Sequence, residues 1–212
     1  MQIRIESGKF KGKRLFLPDF STTRSTKSRV KACVFNTLRD ELRGKIFVEV
    51  FGGSGAMAFE ALSNEACAAY VFELDDKAYK IALKNATLLN TPNARVRKGD
   101  GFELLKDLLD GGFGENSLRK DEDDNGGKSE PLGNLLDEKK PIIAYFDPPF
   151  HSRAGFTDIY ERVFALIISL QKHLHCCIIE HSSKVVTPLT LGNFHQSKFK
   201  QFGKTSLSFY KK

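Results

Sequence analysis

At 212 residues, with 41% hydrophobic and 11% aromatic side chains, the chain is long enough for one sizeable core and a small appendage. Its net charge of +7 is concentrated at one end: up to Lys45 there are 12 Lys and Arg against 4 acids, an excess larger than that of the whole chain. No apolar run reaches bilayer-spanning length, the start has no signal-type apolar region, and Cys33, Cys67, Cys176 and Cys177 lack metal-ligand spacing, so a membrane helix, a zinc site and a disulfide scaffold are excluded and a cytoplasmic protein is expected.

In chain order, Gln2 to Leu17 alternates around Gly8-Lys9-Phe10-Lys11-Gly12 and predicts a hairpin with a basic turn. Lys27 to Arg43 carries Val30, Val34, Leu38 and Leu42 on one helical stripe. Residues 1–44 therefore form a basic hairpin and helix ahead of a main domain over 45–212. That domain alternates strands and helices: strand Ile46 to Phe51, helix Gly55 to Glu65, strand Ala69 to Leu74, helix Asp76 to Leu89, strand Ala94 to Lys98, helix Gly101 to Leu109. After residues 111–140, polar, glycine-rich and expected to be a flexible insertion, come strand Ile142 to Phe146, helix Gly155 to Gln171 and strand Cys176 to His181. Phe194 to Phe202 and Thr205 to Lys211 close the chain as an antiparallel pair around Gly203. Repeated βα units predict an α/β Rossmann-like fold: a mostly parallel seven-stranded sheet, covered on both faces and finished by a hairpin.

The first strand of that domain runs into Glu49-Val50-Phe51-Gly52-Gly53-Ser54-Gly55, and a helix follows at once. Glycines let backbone turn sharply and approach a ligand, and a helix N-terminus attracts a carboxylate or phosphate. Gly53-x-Gly55-x-x-Ala58 also fits a dinucleotide fingerprint, but a pyrophosphate would meet the buried carboxylate of Glu49. An α-ammonium group would be attracted there, which favours S-adenosylmethionine, with the ligand's carboxylate near the helix N-terminus. Glu73-Leu74-Asp75 places Glu73 at the next strand tip, where it can accept from ribose hydroxyls, and Asp100-Gly101 follows the third strand, within reach of an adenine amine. Asp75 and Asp100 also read as helix N-caps.

Asp147-Pro148-Pro149-Phe150 follows the apolar strand Ile142 to Phe146. Two prolines fix the backbone and remove two N–H donors, leaving a rigid cluster of acceptors suited to the exocyclic NH2 of a base extracted from its stack, with Phe150 as a stacking face. Holding the amine hydrogens and aiming the nitrogen at a sulfonium methyl supplies much of the rate, and no metal is required.

The glycine loop with its upstream acid, together with Asp147 to Phe150, resembles the class I amino-methyltransferases of nucleic acids. Nearly the whole chain is similar to the RsmD family, the 16S rRNA guanine-N2 methyltransferases of bacteria. The resemblance runs through Gly8 to Leu15, Thr26, Arg29, Phe35-Asn36-x-Leu38, Glu49 to Ala56, Glu60 to Ser63, Asn85, Asp147 to Phe150, Glu180 and Gly203-Lys204-Thr205. It implies that S-adenosylmethionine is bound by Glu49, Phe51, Gly52, Gly53, Ser54, Gly55, Glu73, Leu74, Asp100 and Gly101. The target guanine falls to Asp147, Pro148, Pro149 and Phe150. It also implies contact of Lys9, Lys11, Lys13, Arg14, Arg24, Thr26, Lys27 and Arg29 with 16S rRNA or a small-subunit assembly intermediate, made by a monomer. The chain departs from the family pattern in having Glu49 for aspartate, Ser25 for proline, and the long insertion. Two other classes stay open: a DNA amino-methyltransferase acting on adenine N6 or cytosine N4, and a non-catalytic RNA-binding module. Little in the chain resembles a DNA target-recognition domain, and an intact Asp147 to Phe150 weighs against the second.

Overall fold

The computed structural model describes residues 1–18, 24–110, 140–149 and 159–212, with side chains of the first helix described from Lys27 onward. Strands β1 (Gln2–Arg4) and β2 (Arg14–Phe16) pair antiparallel with Ile3 opposite Leu15, the expected hairpin. Helix α1 (Arg24–Leu38) begins three residues before the expected Lys27 and stops five before Arg43. Glu41 and Leu42 both donate their N–H to the Leu38 carbonyl, and Gly44, at φ 70°, reverses the chain. Leu42 stays buried all the same, so the apolar stripe is real although the helix beneath it ends early.

The main sheet contains β3 (Ile46–Glu49), β4 (Ala68–Glu73), β5 (Ala94–Lys98), β6 (Ile142–Phe146), β7 (Leu174–Ser182), β8 (Thr190–Leu191), β9 (Phe194–Phe202) and β10 (Thr205–Lys211). Its spatial order is β5-β4-β3-β6-β7-β10-β9-β8. The first five strands are parallel, and β10 and β9 add antiparallel at the β7 edge. The seven expected strands are present, and β8, two residues long, joins as an eighth at the margin. It is too short for an alternating pattern to reveal it.

Helices α2 (Ala56–Ser63) and α3 (Asp76–Leu89) cover one face with α1 and the hairpin, while α4 (Gly101–Leu109) and α5 (Ile159–Ser169) cover the other. The expected start of α5 at Gly155 lies outside the described residues. Alternation within the strands assigns the faces. Phe47, Tyr145 and Ile178 point to the α1–α2 side, whereas Val48, Phe146 and Ile179 point to the α4–α5 side.

Residues of the 1–44 segment are built into the first of these cores: Ile3, Ile5, Leu15, Val30, Val34 and Leu38 pack with Phe47, Phe59 and Ile178. Two buried polar knots lock them in place. Lys31 Nζ lies 2.7 Å from Glu60 Oε2, both side chains almost fully buried, and also donates to the Arg4 carbonyl. Glu60 further accepts from the N–H groups of Glu6 and Ser7 at 3.0 Å. Asn85, fully buried on α3, accepts from Phe16 N at 2.8 Å and donates to the carbonyls of Phe16 and Ser54 at 2.9 Å. One amide thus joins the hairpin to the glycine loop.

Candidate active site

From β3 the sheet grows outward through β4 and β5, and from β6 through β7, so the strand order reverses between β3 and β6. In open α/β sheets ligands bind outside the carboxyl ends of the strands at such a point. Glu49 ends β3 and Asp147 follows β6 there.

In the glycine loop, Gly52 donates to the Phe72 carbonyl at 2.7 Å, and a Cβ on Gly52 would stand 2.3 Å from Val71 Cγ1, so only glycine fits against β4. Gly53 by contrast has open space around its missing side chain, while Ser54 and Gly55 are buried under the turn. Gly55, at φ 75°, is the N-cap of α2 but has no side chain to cap with. Glu49 supplies the cap instead: its Oε2 accepts from Ala58 N at 2.9 Å. The chain's own carboxylate thus takes one N–H group of the α2 N-terminus, near which a ligand carboxylate is expected. Burial pushes the Glu49 carboxyl up to about 8 against the bonds from Ala58 and Met57 that lower it, with Glu73 raising it further and Lys27 lowering it.

Glu73, at the tip of β4, accepts from Gly53 N at 2.6 Å and Asp75 N at 2.7 Å, tying the β4 tip to the loop. Leu74 beside it is 66% exposed, an apolar surface at the crevice. Asp75 caps α3 and Asp100 caps α4, the latter accepting from Phe102 N at 2.8 Å, so the capping reading of both acids holds. A Cβ on Gly101 would lie 2.0 Å from the Val50 carbonyl oxygen, which forces glycine where α4 starts against β3. Phe51 meets the edge of Phe102 at 5.5 Å, and the Arg162 guanidinium covers Phe102 at 4.3 Å. Sequence spacing gave no sign of Arg162, because it arrives from α5, which packs on the same face of the sheet as α4 but far from it in the chain.

On the Asp147 side, Pro148 is buried and Pro149 exposed; Phe150 lies outside the described residues. Phe146 pairs with Ile179 across the parallel strands, so Asp147 and Glu180, each one residue further on, stand side by side. Tyr145, fully buried, donates its hydroxyl to Glu180 Oε2. Burial, then the neighbouring Glu180, holds the Asp147 carboxyl well above the usual range, and burial raises Glu180 too against the Tyr145 bond and Lys27. Glu49, Asp147 and Glu180 lie on one face of the sheet, two positions beyond Phe47, Tyr145 and Ile178 of the α1–α2 core. Tyr145 had no sequence signal, and Glu180 had only its family resemblance. The usable clue was the one that drew attention to Glu49: a carboxylate near the end of a buried strand.

Of the basic residues, Lys9, Lys11, Lys13, Arg14, Lys27 and Arg29 are exposed. Lys9 and Lys13 each lie 5.4 Å from the centre of the Phe10 ring, and Arg29 lies 5.7 Å from that of Phe202. Arg14 pairs with Arg4 across the hairpin, where both line a cavity of about 490 Å³ with Phe16. Lys27 stands apart from them, because its charge acts on Glu49, Asp147 and Glu180. The side chains of Arg24 and Thr26 lie outside the described residues.

The family model described as Conserved hypothetical protein 95 matches residues 3–112, more than half of the chain. The chain belongs to this family. The matched span runs from the hairpin through the glycine loop to the end of α4, and Asp147 falls beyond it. The chain is 36% identical over 104 residues to Ribosomal RNA small subunit methyltransferase D of Escherichia coli. The chain spans about half the length of that curated relative, 52%, and the match takes in 49% of this chain. Over its full length the family member resembles the solved structure of Escherichia coli yhhF, provisionally described as a methyltransferase: TM-score 0.71, 26% identity, 100% of this chain and 98% of that one. It also shares its fold, at TM-score 0.61 and 14% identity over 94% of this chain and 53% of the other, with SMU.776, provisionally a methyltransferase and solved complexed with SAH. The Rossmann-like methyltransferase fold is thus the chain's own.

Proposed function

We propose that this chain transfers a methyl group from S-adenosylmethionine to the exocyclic N2 amine of a guanine in 16S rRNA. The observation that carries the reading is the placement of two motifs at one switch point: the glycine loop begun by Glu49, and Asp147-Pro148-Pro149 on the neighbouring strand. The names of the relatives support the same chemistry.

The residues present fit the cofactor. Gly53 leaves open space, Glu73 lies at a strand tip, and Leu74 and Phe51 offer apolar surface beside Asp100 and Gly101. Glu49 suits a cationic ammonium group, and the negative cluster as a whole suits a ligand carrying positive charge. When bound, the cofactor would supply a methyl group on a sulfonium leaving group. The chain's own residues do the rest: Asp147 and the Pro148 carbonyl accept from the amine, Phe150 stacks on the base, and Asp147 takes the released proton towards solvent. Lys9, Lys11, Lys13 and Arg14 on the hairpin, with Arg24, Thr26, Lys27 and Arg29 from α1, engage the phosphate backbone, so their contribution weakens with salt. The enzyme works in the cytoplasm, as a monomer, on ribosomal RNA or an assembling small subunit.

The test is transfer of labelled methyl from S-adenosylmethionine to undermethylated small-subunit particles and to duplex DNA, followed by nucleoside analysis. Label in N2-methylguanosine from the ribosomal sample alone is the expected result. Label in DNA bases, or cofactor binding with no transfer to either, would refute the reading.

A further inference from the structure

The side-by-side pair of carboxylates formed by Asp147 just after β6 and Glu180 near the end of β7 exceeds what holding a single amine requires. Asp147 alone suffices to accept from an NH2 group. Glu180 stands next to it on the adjoining strand, and its Oε2 is held by the buried Tyr145 hydroxyl, which leaves Oε1 with lone pairs to offer. The Tyr145 ring stacks on Phe47 at 6.3 Å within the core, which fixes where its hydroxyl lies.

Bases differ in what lies beside their exocyclic amine. In guanine the amine is flanked by N1, which carries a hydrogen, and N3, which does not, so on the N1 side two donors stand side by side. In adenine the neighbour of N6 is N1, and in cytosine the neighbour of N4 is N3, each an acceptor. A second carboxyl oxygen that accepts beside the one that holds the amine therefore favours guanine over the other two, because there acceptor would face acceptor.

We infer that Glu180, held by Tyr145, is a specificity-determining residue that accepts from the guanine N1–H while Asp147 accepts from its N2 amine. The inference rests on the proposed guanine methylation and adds to it the group that selects guanine. Lys27 is the nearby cation that keeps the carboxylates from being wholly uncompensated. Once the base is flipped, its two donors take over part of that role.

The test uses the full chain and an RNA substrate carrying, at the nucleotide that the wild type methylates, either guanine or 2-aminopurine. The latter keeps the amine but presents an acceptor at N1. Wild type should methylate guanine and discriminate strongly against 2-aminopurine. In Glu180→Gln the Tyr145 hydroxyl fixes the amide oxygen and turns the NH2 group to N1. The guanine rate should fall about 10- to 100-fold and the 2-aminopurine rate should rise, a change in preference that mere loosening of the site would not produce. Tyr145→Phe, which removes only the hydroxyl, should lower the guanine preference about 10-fold without the gain on 2-aminopurine, and it decides the matter if Glu180→Gln does not fold. An unchanged ratio of the two substrates in the folded variants overturns the inference. Absence of guanine methylation by the wild type overturns the proposed function itself, and the inference with it, and is seen before any variant is compared.

Discussion

If Glu49 meets the cofactor's ammonium group as proposed, its burial couples binding to loss of a proton. Its folded-state pKa of about 8 lies above the ordinary value of 4.5. Its contribution to stability is therefore full below the lower value and lost as pH rises through the upper one, since the unfolded chain ionises first. Over the same window a cationic ligand favours the ionised form, so affinity for S-adenosylhomocysteine should increase from pH 6 towards pH 8 with release of a proton. Calorimetry in two buffers of different ionisation enthalpy measures that proton directly. Glu49→Gln keeps an oxygen for Ala58 N but cannot ionise, so it should bind more weakly, release no proton on binding and lose the part of the pH dependence of stability that Glu49 contributes. Persistence of proton release in the variant would move the cation site away from Glu49.

At the scale of elements, buried polar contacts add to the pairing of the three-residue strands and the apolar packing that hold the basic hairpin. Lys31→Met leaves the Glu60 carboxylate buried beside a thioether, with the Glu6 and Ser7 amides, the Ser7 hydroxyl and the Asn64 amide still donating to it. The expected loss is about 3–5 kcal/mol, read from the urea midpoint at unchanged slope. Asn85→Ala strands the Phe16 N–H and the carbonyls of Phe16 and Ser54. It should cost about 1–3 kcal/mol and weaken RNA and cofactor binding together, because one amide spans the hairpin and the glycine loop. If cofactor affinity were untouched while RNA binding fell, Asn85 would anchor the hairpin alone. The exposed pair Arg43–Glu65 makes a useful contrast: both side chains are mostly in water, and Arg43→Ala should change stability very little.

At the scale of the molecule, what could be read from sequence was whatever consecutive residues encode. Alternation and helical stripes gave the βα order, and the glycine loop and Asp147-Pro148-Pro149 stood out because their chemistry lies within a few positions. The pairing of Tyr145 with Glu180 spans 35 residues and exists only because β6 and β7 are adjacent. The Glu49 cap of α2 depends on how the loop folds back, so the same residue read from sequence suggested an open helix N-terminus. The early end of α1 was hidden because Leu42 continues the stripe in a turn. The buried Lys31–Glu60 pair was invisible for a similar reason, since a lysine in a basic segment looks like surface. The segment 1–44 looked separate by charge, yet its apolar residues complete a core shared with the sheet.

The measurement that bears most directly on the central claim compares wild type with Asp147→Ala in two readouts on the same preparation: S-adenosylhomocysteine affinity and single-turnover methyl transfer to small-subunit RNA. Transfer should fall by at least about 100-fold while affinity stays within about threefold, because Asp147 is assigned to the amine and not to the cofactor. Full turnover at unchanged affinity would contradict the assignment of the chemistry to the carboxylate that follows β6.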